Sequence, residues 1–464
     1  MKKPLFYFLI MIISGLLVLG GLCLFSFFIF QQINDISNIE LPFIQIRQSI
    51  YQPETETFYL EDLGEIREKF ILEKESFMEA DLSEMKIKIY QEGILEKELP
   101  IFTRGVPGRW GGTSFGVYQI LSKNPLAYSV LADSYMPWSL HFYGKYYIHG
   151  DNYYSGGRPE TLEITGGCLR LNDINAKVVY NSAKIGMPVL ATDKGFENDG
   201  YEYSVPKRLT EFPQISAPNY LVADLDSGFV FVEKNYQEQV PIASLTKLMT
   251  AIIVAEIVDL RKSIFVTSEM LEALKSTEGL TAGKTFKAVE LFYPLLIESS
   301  NDAAEVLSRF LGREWTINLM NKKAEAILMK ETKFTDPSGL DSQNVSTAQD
   351  LFHLARYVLN VRPMFLEIGR GGEVWTFGLP ISFQNLENKN IFFEAPDFIG
   401  GKTGFITASQ STGIFIFRLS LKDGSERRIA IIGLGAEAVD GFPVNLEKDV
   451  EKILDWLKEN YFTQ

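Results

Sequence analysis

Apolar and polar positions change regime several times along this chain. From Leu5 to Phe30 nearly every side chain is apolar and none is charged. A helix of that length reaches about 39 Å, more than the roughly 30 Å hydrocarbon core of a bilayer. The run exceeds the apolar region of a cleavable signal peptide and enters Gln31-Gln32 without a small-x-small site, so it predicts an uncleaved anchor. Lys2 and Lys3 put the short N-terminal side in the cytoplasm and the rest of the chain outside. Between residues 34 and 85 there are 13 Asp/Glu against 4 Lys/Arg. Within this stretch Leu63, Ile66, Phe70 and Phe77 fall near helical spacing, which predicts a helix from Glu61 to Met78.

From Met85 the texture becomes short alternating strands, Lys86–Tyr90 and Ile94 onward, continuing through Pro188-Val189-Leu190. Asp193 to Pro218 is polar, with three prolines, and has the composition of an interdomain linker. Tyr220 to Val232 forms a hairpin pattern around Asp226-Ser227-Gly228. Helical periodicity then dominates (244–259, 288–311, 315–329, 347–359). Strand-like runs return at Gly413–Leu419 and Arg428–Leu434, and a helix from Asn445 closes the chain. The expected organisation is multidomain: a cytoplasmic tail and transmembrane helix (1–31), an acidic stalk (32–84), a mainly-β domain (85–193), a linker (194–218) and an α+β domain with helices on a mainly antiparallel sheet (219–464).

With 464 residues, 46% apolar, the chain can bury several cores. Its net charge of −14 argues against a nucleic-acid partner. Two cysteines, Cys23 and Cys168, and three histidines leave no material for a disulfide framework or a zinc centre. No metal and no cofactor is expected.

Cys168 is the one cysteine outside the apolar run, in Thr165-Gly-Gly-Cys-Leu-Arg170, and His149-Gly150 follows the strand-like Lys145–Ile148. A thiol of ordinary pKa is mostly protonated at neutral pH, so a nucleophilic cysteine needs an imidazole or another activating group. Gly166 and Gly167 would let backbone approach a substrate. Read alone, these residues fit either a nucleophile–base pair or a buried thiol beside a packed imidazole. The set His149-Gly150 and Gly167-Cys168-Leu169-Arg170 resembles the active-site signature of L,D-transpeptidases, cysteine enzymes that cross-link peptidoglycan. The resemblance spans roughly Met85 to Asp193 and includes Gly111–Ile120. It implies Cys168 as nucleophile, His149 as base, the Gly150 carbonyl as the group orienting the imidazole, and Gly167 and Arg170 against the substrate or its loop. The family often has Ser-His-Gly-Cys; Gly166 replaces that second histidine here. His141 is expected to be structural.

Ser244-Leu-Thr-Lys247 opens a helical run, and one turn places hydroxyl and amine on the same face. A lysine accepts a serine proton only when neutral, which requires burial or a second cation. Ser299-Ser-Asn301 and Lys402-Thr-Gly404 follow in order. The three together resemble penicillin-binding proteins and β-lactamases, and above all D-alanyl-D-alanine carboxypeptidases. Phe334-Thr-Asp-Pro-Ser-Gly-Leu340 and Ser346-Thr-Ala-Gln-Asp350 add to the match, which covers about 219–464. It implies Ser244 as nucleophile, Lys247 as base, Ser299 as proton relay, Asn301 on the substrate amide, Lys402 and Thr403 on the terminal carboxylate, and Gly404-Phe405 beside an oxyanion hole of the Ser244 and Phe405 N–H groups.

Together the resemblances imply a membrane-bound, extracytoplasmic enzyme of peptidoglycan. Its serine site would trim pentapeptide stems to tetrapeptides, and its cysteine site would use tetrapeptides for 3→3 cross-links. β-Lactams would be covalent inhibitors. L,D-carboxypeptidase, D,D-endopeptidase or D,D-transpeptidase outcomes at the same sites, or a non-catalytic wall-binding scaffold, remain open at this point.

Overall fold

The strand Phe77–Asp81 sits at the centre of a sheet, and its first two residues, Phe77 and Met78, fall in the segment whose spacing predicts a helix. Only Leu63–Leu72 is helical, started by the Asp62 carboxylate, which accepts the Glu65 N–H at 2.9 Å. Phe70 and Phe77 do meet, but across the helix–strand junction, with ring centroids 5.2 Å apart. A central strand buried on both faces shows no alternation, so its apolar residues fell by chance into the helical period. The computed structural model describes residues 58–106, 108–160, 165–204, 208–271, 277–374, 376–439 and 443–462. The expected anchor and residues 32–57 of the expected stalk lie outside the described residues. Among the described residues no helix is long and apolar enough to cross a membrane.

The five-stranded sheet runs in the order Ile94–Pro100, Lys86–Gln91, Phe77–Asp81, Pro188–Thr192, Gly116–Gln119. A second sheet joins Ser122–Ser129, Ser134–Tyr143, Tyr146–His149 and Leu169–Arg170. Its last pair is parallel, with Ile148 opposite Leu169 and His149 opposite Arg170. That register brings the two chemistry-bearing ends of separate motifs to adjoining strands.

The second half is built on a five-stranded antiparallel sheet ordered Val230–Lys234, Asn219–Asp224, Glu426–Ala436, Gln410–Ser420, Phe398–Ile406. The early hairpin and the late strands thus share one sheet, as the α+β pattern predicts. The helices Thr246–Ile257 and Ala348–Val361 pack with one face of it, and Val444–Asn460 covers the other. The helix expected over 288–311 is interrupted: a 3₁₀ turn at Ala288–Leu291, a short α-helix at Phe292–Leu296, a break at Ser299 (φ +62°), then the helix Asn301–Leu311. Lys402-Thr403-Gly404 lies within a strand, Phe398–Ile406.

The 194–218 segment is packed where it is described, not free to range. Phe196 stacks on Phe115 with centroids 4.8 Å apart, and Phe212 meets Trp456 edge-on at 5.2 Å. Asp449 accepts the Ser216 and Ala217 amides at 2.8 and 3.0 Å. Its prolines and polar residues satisfy a surface path, while a few aromatics hold it down. The described residues, from Phe58 on, form one compact unit.

Candidate active sites

Ser244 lies in the 3₁₀ turn Ala243–Leu245 that leads into Thr246–Ile257. Ala243 before it is held at φ +47°, a conformation an L residue keeps only where its surroundings enforce it. Lys247 is fully buried, and its Nζ donates to Ser244 Oγ at 2.8 Å, Asn301 Oδ1 at 2.7 Å and the Ser338 carbonyl at 2.6 Å. Burial, then the charge of Lys402, push this ammonium well below the usual lysine range; Asp336 opposes them. Once neutral, the amine keeps two N–H donors for Asn301 Oδ1 and the Ser338 carbonyl and turns its lone pair to the Ser244 hydroxyl, a general base in position. Lys402 Nζ donates to Ser299 Oγ and to its neighbour's carbonyl, Thr403 O, both at 2.8 Å, and burial lowers it to about 7.

Gly404 brings the Phe398–Ile406 strand against the nucleophile turn: a Cβ there would stand 2.8 Å from the Ser244 nitrogen. This approach sets the Ser244 and Phe405 N–H groups on neighbouring segments, and Phe405 carries its ring at the surface. Sequence reasoning gave no role to Ser338 or Asp336. Asp336 accepts the Gly339 amide at 2.6 Å and the Asn344 side-chain amide at 2.9 Å, which folds the Phe334–Leu340 loop so that the Ser338 carbonyl reaches Lys247. The motif was visible; what its loop touches was not.

At the thiol site, His149 is buried and its Nδ1 bonds the Gly150 carbonyl at 2.7 Å, leaving Nε2 as the lone-pair nitrogen. Burial first, and then the Arg170 cation, hold this imidazole down to about 4. The half-buried Cys168 donates its thiol to the Lys145 carbonyl at 3.5 Å, and burial pushes it up to about 11. No hydrogen bond joins Cys168 to His149 among the described residues. His149 ends one strand and Cys168 stands just ahead of the adjoining strand, as a neutral imidazole and a neutral thiol. Gly167 is at φ +118°, and a Cβ there would fall 2.0 Å from the Tyr146 ring. Its carbonyl accepts Thr113 Oγ1 at 3.0 Å, and Thr165 Oγ1 donates to the Cys168 carbonyl at 2.6 Å. Around Gly166 there is open space, so the missing histidine is not a steric exclusion. Arg170 is buried, and its backbone N–H donates to Thr103 O at 2.9 Å. His141 Nε2 bonds the Gly144 carbonyl at 2.8 Å and its ring stacks on Tyr147, a structural role.

Between the sites lies a buried cluster. Glu256 pairs with Lys323 and with Arg362, each at 3.1 Å, and all three side chains are fully buried. Lys323 also donates to Ser114 Oγ at 2.6 Å and to the Tyr118 and Tyr357 hydroxyls at 2.8 Å. Arg362 donates to Tyr146 OH at 2.8 Å and Gly112 O at 3.1 Å. Trp110 stacks on Phe292 with centroids 5.4 Å apart. Neither Lys323 nor Arg362 was singled out in the sequence, because nothing local marks a residue whose partners are 200 positions away.

Comparison with known proteins finds a family match for each half of the chain. Residues 207–432 match the family model of D-alanyl-D-alanine carboxypeptidases, and residues 75–190 match the L,D-transpeptidase catalytic domain. A D-alanyl-D-alanine carboxypeptidase of Mycobacterium tuberculosis is 31% identical over 212 residues, covering 45% of this chain and 72% of the relative. A D-alanyl-D-alanine endopeptidase of Haemophilus influenzae is 32% identical over 222 residues, covering 47% of this chain and 75% of the relative. Among solved structures, penicillin-binding protein D2 of Listeria monocytogenes, in a cefotaxime-bound form, aligns with a TM-score of 0.46 at 27% identity, covering 53% of this chain and 99% of that one.

Proposed function

Because this chain belongs to the D-alanyl-D-alanine carboxypeptidase family and carries an L,D-transpeptidase catalytic domain ahead of that region, we propose that it processes peptidoglycan stem peptides at two acyl-transfer sites. The observation that carries the serine half is the buried Lys247 amine, bonded to both Ser244 and Asn301. Ser244 attacks the carbonyl of the penultimate D-alanine while Lys247 takes its proton. The Ser244 and Phe405 N–H groups receive the oxyanion, and Lys402 with Thr403 holds the terminal carboxylate. D-Alanine leaves, and water releases a tetrapeptide. A β-lactam would stop at the acyl-enzyme. The named endopeptidase relative favours one alternative at this site, cleavage of a D,D cross-link.

For the thiol half, Cys168 attacks the carbonyl of the third stem residue and expels the terminal D-alanine. A neighbouring stem's amine then takes the acyl group to give a 3→3 cross-link. His149 receives the thiol proton as substrate approaches, since the resting pair is neutral. The reading places both sites outside the cytoplasmic membrane, held by the apolar run at Leu5–Phe30. The test feeds the purified chain pentapeptide muropeptides and follows products by mass spectrometry. Ser244→Ala should stop tetrapeptide formation, and Cys168→Ala should abolish cross-links while D-alanine release persists. Undiminished 3→3 cross-linking from pentapeptide in Ser244→Ala refutes the supply of one site by the other.

A further inference from the structure

The thiol does not rest on its own domain alone. Cys168 Sγ faces the Lys145 carbonyl at 3.5 Å, with the Tyr147 N–H also directed at it. Lys145 immediately precedes, and Tyr146 starts, the strand that ends in His149, and the side chains of both are bound in the carboxypeptidase-like half. Lys145 Nζ donates to the carbonyls of Ala255 at 2.9 Å and Val258 at 3.5 Å, at the C-terminal end of the Thr246–Ile257 helix. A cation there satisfies helix-terminal carbonyls and meets the negative end of the helix dipole. The Tyr146 hydroxyl accepts from Arg362, whose guanidinium is fixed by Glu256. The Tyr146 ring fills the space that a side chain at residue 167 would need, directly beside Cys168. Gly144 lies against Ile257, where a Cβ would be 2.8 Å from Cδ1.

We propose that the carboxypeptidase-like half completes the thiol site, with Lys145 and Tyr146 as positioning residues for Cys168 that are themselves held across the interface. The end of the helix that begins beside Ser244 thus fixes the carbonyl on which the thiol rests. It also keeps an ammonium near enough to favour thiolate. The charged and titratable groups around this corner are few. Lys145 faces Arg362, Glu256, Asp259 and the thiol; Cys168 faces Lys145 and the hydroxyls of Tyr146 and Tyr147; His149 faces Arg170. Of these, Lys145 is the cation that bears on the thiol itself.

This inference rests on Cys168 being the acyl acceptor, but its test does not require turnover. In the full chain, iodoacetamide alkylation of Cys168 is followed against pH by peptide mass spectrometry for the parent, Lys145→Met, Lys145→Arg and Tyr146→Phe. Only the monodisperse fraction with parental circular dichroism is scored. Lys145→Met should slow alkylation about tenfold near neutral pH, where Lys145 carries its charge, the effect of one pH unit, and leave the rate unchanged at alkaline pH, where burial has already lowered Lys145 through about 8 to its neutral form. Lys145→Arg should recover most of that loss. Tyr146→Phe, which keeps the ring and removes the bond to Arg362, should slow carbapenem acylation of Cys168 while penicillin labelling of Ser244 stays within about twofold. A Lys145→Met profile that superimposes on the parent's, or an arginine that recovers nothing, overturns the proposal. Failure of a carbapenem to acylate parental Cys168 would instead strike the acyl-acceptor reading, and the alkylation profiles would still decide the positioning.

Discussion

Replacing Gly404 by alanine perturbs the serine site without touching a reacting group. The added methyl lands 2.8 Å from the Ser244 nitrogen, 2.8 Å from Thr412 Oγ1 and 3.1 Å from Ala243 Cβ. None of these is a flexible tip: Thr412 is buried, and its hydroxyl bonds the Ile242 and Gly404 carbonyls at 3.1 and 3.3 Å. Ordinary contact begins roughly half an ångström farther out, so the strand and the nucleophile turn must separate by about that much. The gap that opens is the one between the Ser244 and Phe405 N–H groups. Losing one oxyanion donor outright costs about 10²–10³ in rate, and a lengthened one should sit at the low end, about 10²-fold or about 2.7 kcal/mol. The assay is the second-order rate of acylation by a fluorescent penicillin on folded protein, with D-alanine release beside it. Gly433→Ala, on the strand Glu426–Ala436, where the methyl would crowd Leu446 of the closing helix at 2.5 Å, is the control for strain alone. A Gly404→Ala enzyme that melts lower but acylates at the parental rate would falsify the oxyanion geometry.

Three further outcomes follow from the same structure. Lys402→Met should raise KM for a pentapeptide bearing a free carboxylate far more than for its amide. In the parent that preference should fade as pH rises through about 7, where Lys402 loses its charge. Glu256→Gln leaves two buried cations without their carboxylate and should cost about 3–5 kcal/mol in denaturant unfolding. In the parent, burial raises Glu256, but Lys323 and Arg362 outweigh it and hold it below the usual range. Its stabilisation is therefore present above the ordinary carboxylate pKa and should disappear as pH falls through the lower folded value. His149→Ala should slow carbapenem acylation of Cys168 by about 10²–10⁴-fold; in the parent the acid limb should fall near 4, where the imidazole is protonated.

Local chemistry was legible in the sequence and long-range packing was not. Ser244 and Lys247 share a helical turn, so their 2.8 Å contact follows from spacing alone. Lys402 and Ser299 meet at 2.8 Å across 103 positions, and only the order of the motifs announced it. Phe77–Asp81 was misplaced because a strand buried on both faces carries no period-two signal. The 194–218 segment has linker composition, yet Phe196, Phe212 and the Asp449 bonds hold it down; composition reports solvation, not the few anchors that pin a surface path. The Cys168–His149 pair was legible as a candidate. That the thiol rests on Lys145, and that Lys145 is held by another domain's helix end, had no local mark.

That interface changes how two acyl-transfer steps in one chain are to be understood. A flexible linker would raise the concentration of one site near the other's product while leaving each site's chemistry alone. Here the interface buries Glu256, Lys323 and Arg362 with the tyrosines of the preceding domain. Such ions are tolerated only while every partner is in place, because a removed partner leaves an uncompensated buried charge. Hinging the domains apart would break Tyr118 from Lys323 and Tyr146 from Arg362 at once, so the joint resists opening. Under the proposed reading, a trimmed stem cannot be carried from serine to thiol by swinging one domain toward the other. It has to travel by its own reach on the glycan strand, or leave and rebind. Fusion would then act less through proximity than through shape: each half is folded against the other, and the thiol's surroundings depend on that contact.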